Sequence, residues 1–226
     1  MLNPIQKLLG AVLITSLLSI ATTASASGSA VYHVTITNVT YGINFTPILV
    51  ASHRRKLPLF ELGSAADSDI AAVAEGGDTA GLATTLDANP QVVDIQNSGG
   101  LLKPGQSVTV VVSAAHGARR ISLAAMMLPT NDGFIALQGV RAPRYGTAVY
   151  YSRAYDAGSE PNDELCANIP GPTCGGSALS PAIDVNDEGF VHVHRGIKGI
   201  GDLDVSRHDW NNPVARISVT RVRGRY

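Results

Sequence analysis

Three short stretches constrain this fold most: residues 31–39 (VYHVTITNV), 107–113 (SVTVVVS) and 214–222 (VARISVTRV). All are rich in β-branched residues, and the first and last alternate apolar with polar side chains, the period of a half-buried strand. Further apolar stretches at 119–128, 134–142, 147–154 and 188–194 are separated by turn clusters such as Pro104-Gly105-Gln106 and Arg144-Tyr145-Gly146. About eight strands at such spacing predict an all-β antiparallel β-sandwich. The 107–113 stretch, apolar on both faces at its end, is expected to be central. Residues 46–60 are mixed, with Pro47 and Pro58 as breakers. Residues 63–88 are rich in Ala, Asp and Gly. Asp67 or Ser68 can cap a short helix over 69–75 that ends at Gly76-Gly77, and Asp78 can cap a second over 79–86. With too few large apolar residues for its own core, this is a small α-helical insertion, not a second domain.

The N-terminus has the form of an export signal. Lys7 precedes a largely apolar run, residues 8–20, and Ala24-Ser25-Ala26 fits the small-x-small cleavage pattern. The expected division is a signal peptide, 1–26, and one domain, 27–226, secreted or periplasmic. The apolar run is short for a membrane span, so a retained anchor is the alternative. No second long apolar run follows, so the mature chain is expected to be soluble, with no stable membrane span. A net charge of −1 argues against a nucleic-acid partner. Arg216, Arg221, Arg223 and Arg225 read as a solvated strand face and tail. In an exported chain Cys166 and Cys174 are expected to form a disulfide. Their spacing suits a zinc knuckle poorly, and no His lies between them. The bridge would brace the acidic loop beside it.

Two strand exits are acidic. Residues 129–134 form a turn through Asn131, Asp132 and Gly133, and residues 155–164 carry Asp156, Glu160, Asp163 and Glu164. Calcium takes six to eight oxygen ligands, which irregular loops of this kind can supply. The alternative is two ordinary solvated loops. His192 and His194 are spaced to share a sheet face. With His208, Asp209 or His53 they could hold zinc or copper, or they could hydrogen-bond loop carbonyls. Residues 184–189 (DVNDEG) imitate the front of an EF-hand loop, but Arg195 stands where a bidentate Glu is needed. Tyr145, Tyr150, Tyr151 and Tyr155 are expected to pack in the core and across strands. Trp210 is expected to anchor a loop, with sugar stacking the alternative. Asn38 and Asn44 head glycosylation triplets, where no sugar is expected. No nucleophile stands in a catalytic context, so no enzyme activity is expected.

Beyond these readings the chain resembles the spondin N-terminal domain family. The similarity rests on YHVTITNVT at 32–40, ASH at 51–53, AVAEGGD at 72–78, PGQSVTV at 104–110, LPTNDGFIAL at 128–137 and AYDAGSEPNDE at 154–164. It continues through IPGP at 169–172, GFVHVHRGIKGIGDL at 189–203 and HDWNNPVARISVTR at 208–221. The resemblance implies an antiparallel β-sandwich with a calcium ion held by loop carboxylates, in a family of adhesion, matrix and pattern-recognition proteins. By position, Asp132 and Asp156 are similar to the family's calcium-ligating aspartates. Neutral oxygens must complete the shell, from turn carbonyls, Asn131 or Glu160. The family's integrin-binding members use an acidic residue on an earlier strand; SVTVVVS has none, so integrin binding is not carried over.

The expected function is a calcium-binding adhesion or recognition module whose ordered loops face an extracellular protein or carbohydrate. The alternatives are a transition-metal protein or small metalloenzyme of the cell envelope using His192, His194 and His208, and an envelope protein with a purely structural role.

Overall fold

The computed structural model describes residues 30–178 and 188–223. The expected signal peptide lies outside them, as do residues 184–187 of the EF-hand-like run and Arg225. The first part of the chain forms β1 (Ala30–Asn38), β2 (Asn44–Phe45), β3 (Leu49–His53), α1 (Ser68–Gly76), α2 (Ala80–Asp87) and β4 (Val92–Asn97). Then follow β5 (Ser107–Ser113), β6 (Arg120–Leu128), β7 (Gly133–Arg141), β8 (Thr147–Ser152), β9 (Ala154–Asp156), β10 (His192–Val193), α3 (Val205–His208) and β11 (Ala215–Arg223).

The alternating stretches build the smaller sheet, in the order β5-β1-β11-β8. Tyr32, Val34 and Ile36 of β1 point inward and are fully buried. Antiparallel register sets Val34 beside both Val110 and Val219, so same-face side chains stack across three strands. The larger sheet runs β10-β9-β7-β6-β3-β4, with β2 also paired to β6. Ile121, Leu123 and Ile135 from this sheet meet Ile36, Val112 and Ile217 from the other in one core. The fold is therefore an antiparallel sandwich, as the sequence pattern predicts, with eleven strands among the described residues.

The helices form a third layer. Ile70, Val73, Leu82 and Leu86 cover the outer face of the larger sheet at Leu49, Ala51, Ala124 and Phe134. β6 is thus buried on both faces, which explains why its sequence is a near-continuous apolar run. Asp67 is the N-cap of α1: its side chain accepts the Ile70 amide at 2.9 Å. Gly77 closes the helix at φ 67°, where a Cβ would sit 2.6 Å from Thr46 Cγ2. Replacing Asp67 with Ala should cost about 1 kcal/mol, read as a lower urea midpoint. Asp78 accepts the Ala80 amide at the start of α2. Among the described residues no helix is long and apolar enough to cross a membrane.

Several expectations are corrected. β5 is an edge strand, not a central one: Val110 and Val112 point inward while Val111 is 48% exposed. The expected strand over 147–154 breaks at Arg153. β8 stays in the smaller sheet and β9 joins the larger one, carrying Asp156 to the side of β7. The strand expected over 188–194 shortens to His192–Val193. Tyr145 and Tyr151 are exposed instead of packed. Tyr150 is half-buried and donates to the Arg141 carbonyl. Tyr155 does pack, with its ring 5.0 Å from that of Phe60 and 5.6 Å from that of Phe134. Trp210 is buried in the sandwich core, its ring 4.9 Å from that of His194. Asn38 is fully buried and donates to the Ile43 and Leu102 carbonyls, leaving no room for a glycan.

Candidate cation site

The site begins in the connection between β6 and β7. Thr130 accepts the Gly133 amide at 2.9 Å, and a Cβ on Gly133 would lie 2.6 Å from that hydroxyl oxygen, so the tight turn needs glycine there. β9 then pairs with β7, Asp156 opposite Gly133, and the Ala157 amide donates to the Asp132 carbonyl at 3.1 Å. Asp132 and Asp156 are thereby neighbours across two strands.

Both aspartates are buried. Asp132 Oδ2 accepts the Ser159 amide at 2.8 Å and the Glu160 amide at 3.2 Å. Its Oδ1 is buried with no hydrogen-bond partner. Burial, and then the charge of Asp156, hold the Asp132 carboxyl well above the usual carboxylate range. Asp156 Oδ1 accepts the Gly158 amide at 2.9 Å, and Oδ2 accepts Asn162 Nδ2 at 2.8 Å. Burial raises Asp156 too, opposed by the Asn162 hydrogen bond and by His192. Glu160 is buried in the same loop. Glu75, in the last turn of α1, is a further buried carboxyl raised by burial.

The other acidic residues of the loop hold it in place. Asp163 accepts from Asn131 Nδ2 at 2.9 Å and from the Leu165 amide at 2.9 Å. Asn131 Oδ1 accepts the Glu164 amide at 3.2 Å. Both ends of the Asn131 side chain are therefore engaged in hydrogen bonds that brace the loop. Glu164 binds the amides of Lys198 and Ile200 in the Gly-rich loop. A disulfide joins Cys166 to Cys174 just beyond, and the Cys166 amide is held by Asp202.

The histidines divide. β10 pairs with β9, setting His192 opposite Asp156. His192 Nε2 lies 3.4 Å from Asp156 Oδ1, and His194 Nε2 lies 3.8 Å from Oδ2. Burial lowers the His194 pKa to about 3, so the ring is neutral at physiological pH. His208 does not join them. Its Nδ1 accepts the Asp204 amide at 3.2 Å, and it lines a separate cavity with Tyr41 and Arg207. His53 is buried against the Arg55 carbonyl and the Ser122 hydroxyl. Asp209 accepts the Ile197 amide. Glu188, inside the failed EF-hand-like run, comes close to Asp156 and His192. Asp156 and Glu188 line a cavity of about 310 Å³ that Lys198 and Glu164 also border.

The buried, unpartnered oxygen of Asp132 fits a divalent cation, since a cation would supply both the missing contact and the missing charge. The Spondin_N family model matches residues 35–143, a span that contains Asp132 and ends before Asp156. No curated protein matches the chain.

Proposed function

Residues 35–143 belong to the spondin N-terminal domain family, in outline an extracellular recognition module, and from that premise we propose that calcium orders the Asp132 and Asp156 loops of a non-catalytic binding domain. The observation that carries this reading is the fully buried Asp132 carboxyl with an unpartnered Oδ1 beside Asp156. Asp132 Oδ1, Asp156 and Glu160 would hold the ion, with turn carbonyls and water completing its shell. Calcium supplies the positive charge that two adjacent buried carboxylates lack. Asp132 already ties down the amides of Ser159 and Glu160, and Asn162 ties Asp156 to the far side of the loop. Neutralising the pair fixes residues 156–164 against β7 and presents an ordered rim to an extracellular protein or carbohydrate. The Cys166–Cys174 bridge suits an oxidising compartment, in keeping with a secreted or periplasmic protein.

Limited proteolysis provides the test. Calcium is expected to slow cleavage within residues 156–164, and chelation to restore it. Equal cleavage rates with and without calcium would refute the ordering role. Binding to immobilised glycans and extracellular proteins is expected to be lost on chelation; binding indifferent to chelation would separate recognition from the ion.

A further inference from the structure

His192 and His194 both face Asp156, but they commit different nitrogens. His192 Nδ1 lies 3.1 Å from the Val193 carbonyl oxygen, which can only accept, so Nδ1 carries a proton and Nε2 is the nitrogen left to ligate a metal ion. Nε2 lies 3.4 Å from Asp156 Oδ1 and is buried with no hydrogen-bond partner. A metal ion taking the place of a proton on Nε2 would bind both atoms at once. Glu188 adds a second carboxylate: one donor atom from each of Asp156, Glu188 and His192 lies within 4.8 Å of the other two. In His194 the roles are reversed. Its Nδ1 accepts the Gly196 amide at 3.0 Å, so the neutral ring carries its proton on Nε2, directed at Asp156 Oδ2. The His194 side chain is only 3% exposed, and Nε2 has no hydrogen-bond partner.

We propose that Asp156, Glu188 and His192 form a second cation site, for a first-row transition ion of the zinc class. Imidazole is the discriminating donor, because it suits zinc and copper, whereas calcium takes oxygen. The hydrogen bond from His192 Nδ1 to a backbone carbonyl is the outer-shell contact that fixes a ligating ring. His194 is a positioning residue that turns the Asp156 carboxylate. The adjoining cavity leaves a coordination position for water or for an oxygen or nitrogen atom of a partner. The site goes beyond the calcium reading, since it needs nothing from Asp132; Asp156 has two oxygens and serves both.

The test uses the purified protein stripped with chelator and dialysed. Calorimetric titration is expected to give one zinc per chain. His192→Gln should weaken zinc at least about tenfold while leaving the calcium response intact, and Asp132→Asn should do the converse. Copper(II) bound to the wild type should show imidazole nitrogen coupling in its electron paramagnetic resonance spectrum, a readout that needs no variant to fold. Zinc affinity unchanged in His192→Gln, or a copper spectrum with oxygen ligation only, would overturn the proposal and leave the calcium reading standing. Zinc binding without any calcium response would do the reverse, and failure to bind either ion would remove both.

Discussion

Saturating the stripped protein with calcium is expected to raise its melting temperature by about 5–15 °C, and Asp132→Asn is expected to abolish the response. An ion that binds only the native state, present at 100 to 1,000 times its dissociation constant, stabilises by about 3–4 kcal/mol. For a domain of this size each kcal/mol shifts the midpoint by about 2–4 °C. Without the ion, the Asp132 carboxyl in the folded state sits well above its ordinary value of 3.8 because burial and Asp156 disfavour its charge. The native state then binds a proton that the unfolded chain releases. The associated stability is fully present below the ordinary carboxylate range and is lost as pH rises through the raised folded-state value. Asp156, raised in the same direction, adds to the trend. The metal-free protein should therefore lose stability from this pair on going from acid toward neutral pH. Asp132→Asn should flatten that part of the profile and melt higher than metal-free wild type at neutral pH. Calcium should invert the trend, because it competes with the proton for the same oxygens. Melting curves across pH, for both proteins with calcium and with chelator, isolate the effect. Coincident wild-type curves under the two conditions would remove Asp132 as a cation ligand.

Where one face of a strand meets the core, local pattern was enough to find it. β1 and β11 alternate and are visible from sequence, and β5 is visible as a β-branched run, although Val111 made it read as central. The covering role of the helices was not, although Asp67 and Gly77 mark the first one clearly. β3 was hidden because all five of its residues are buried and prolines flank it, so it shows no period-2 signal. The shift of sheet at Arg153 leaves no trace in composition, since residues on either side still prefer extended backbone. Yet that shift is what brings Asp156 beside Asp132. Asp132 and Asp156 could be singled out as acidic strand exits. The approach of His192 and His194 to Asp156 depends on pairing between β9 and β10, which lie far apart in sequence. Composition could not separate the bracing role of Asn131 and Asp163 from ligation, because the same side-chain oxygens serve either purpose. Glu188 carries no local signal, because the motif around it fails as an EF-hand, while its actual neighbours come from β9 and β10.

The bracing residues lead to the second large effect. Glu164→Ala is expected to destabilise the domain by about 3 kcal/mol, from two hydrogen bonds to a charged acceptor worth about 1.5–3 kcal/mol each, less what water recovers. Glu164 is 4% exposed. Its Oε1 accepts the Lys198 amide at 2.5 Å and its Oε2 accepts the Ile200 amide at 3.0 Å. Its backbone reinforces the clamp: the amide donates to Asn131, and the carbonyl accepts the Asp202 amide at 2.8 Å. A Cβ on Gly201 would lie 2.5 Å from the Glu164 carbonyl, so the Gly-rich loop passes directly over this residue. Glu164 also adopts φ 58°, a left-handed conformation that a non-glycine residue keeps only when its surroundings enforce it. One side chain thus joins the acidic loop to residues 196–201, which border the cavity beside Asp156. Glu164→Gln retains one acceptor oxygen and should lose about half as much as Glu164→Ala. Urea unfolding at unchanged slope gives the free energies. Amide hydrogen exchange should show Lys198 and Ile200 losing protection in Glu164→Ala while the core strands keep theirs. A variant within about 0.5 kcal/mol of wild type, the range of ordinary surface substitutions, with both amides still protected, would mean that the disulfide and Asp202 hold the loop without Glu164.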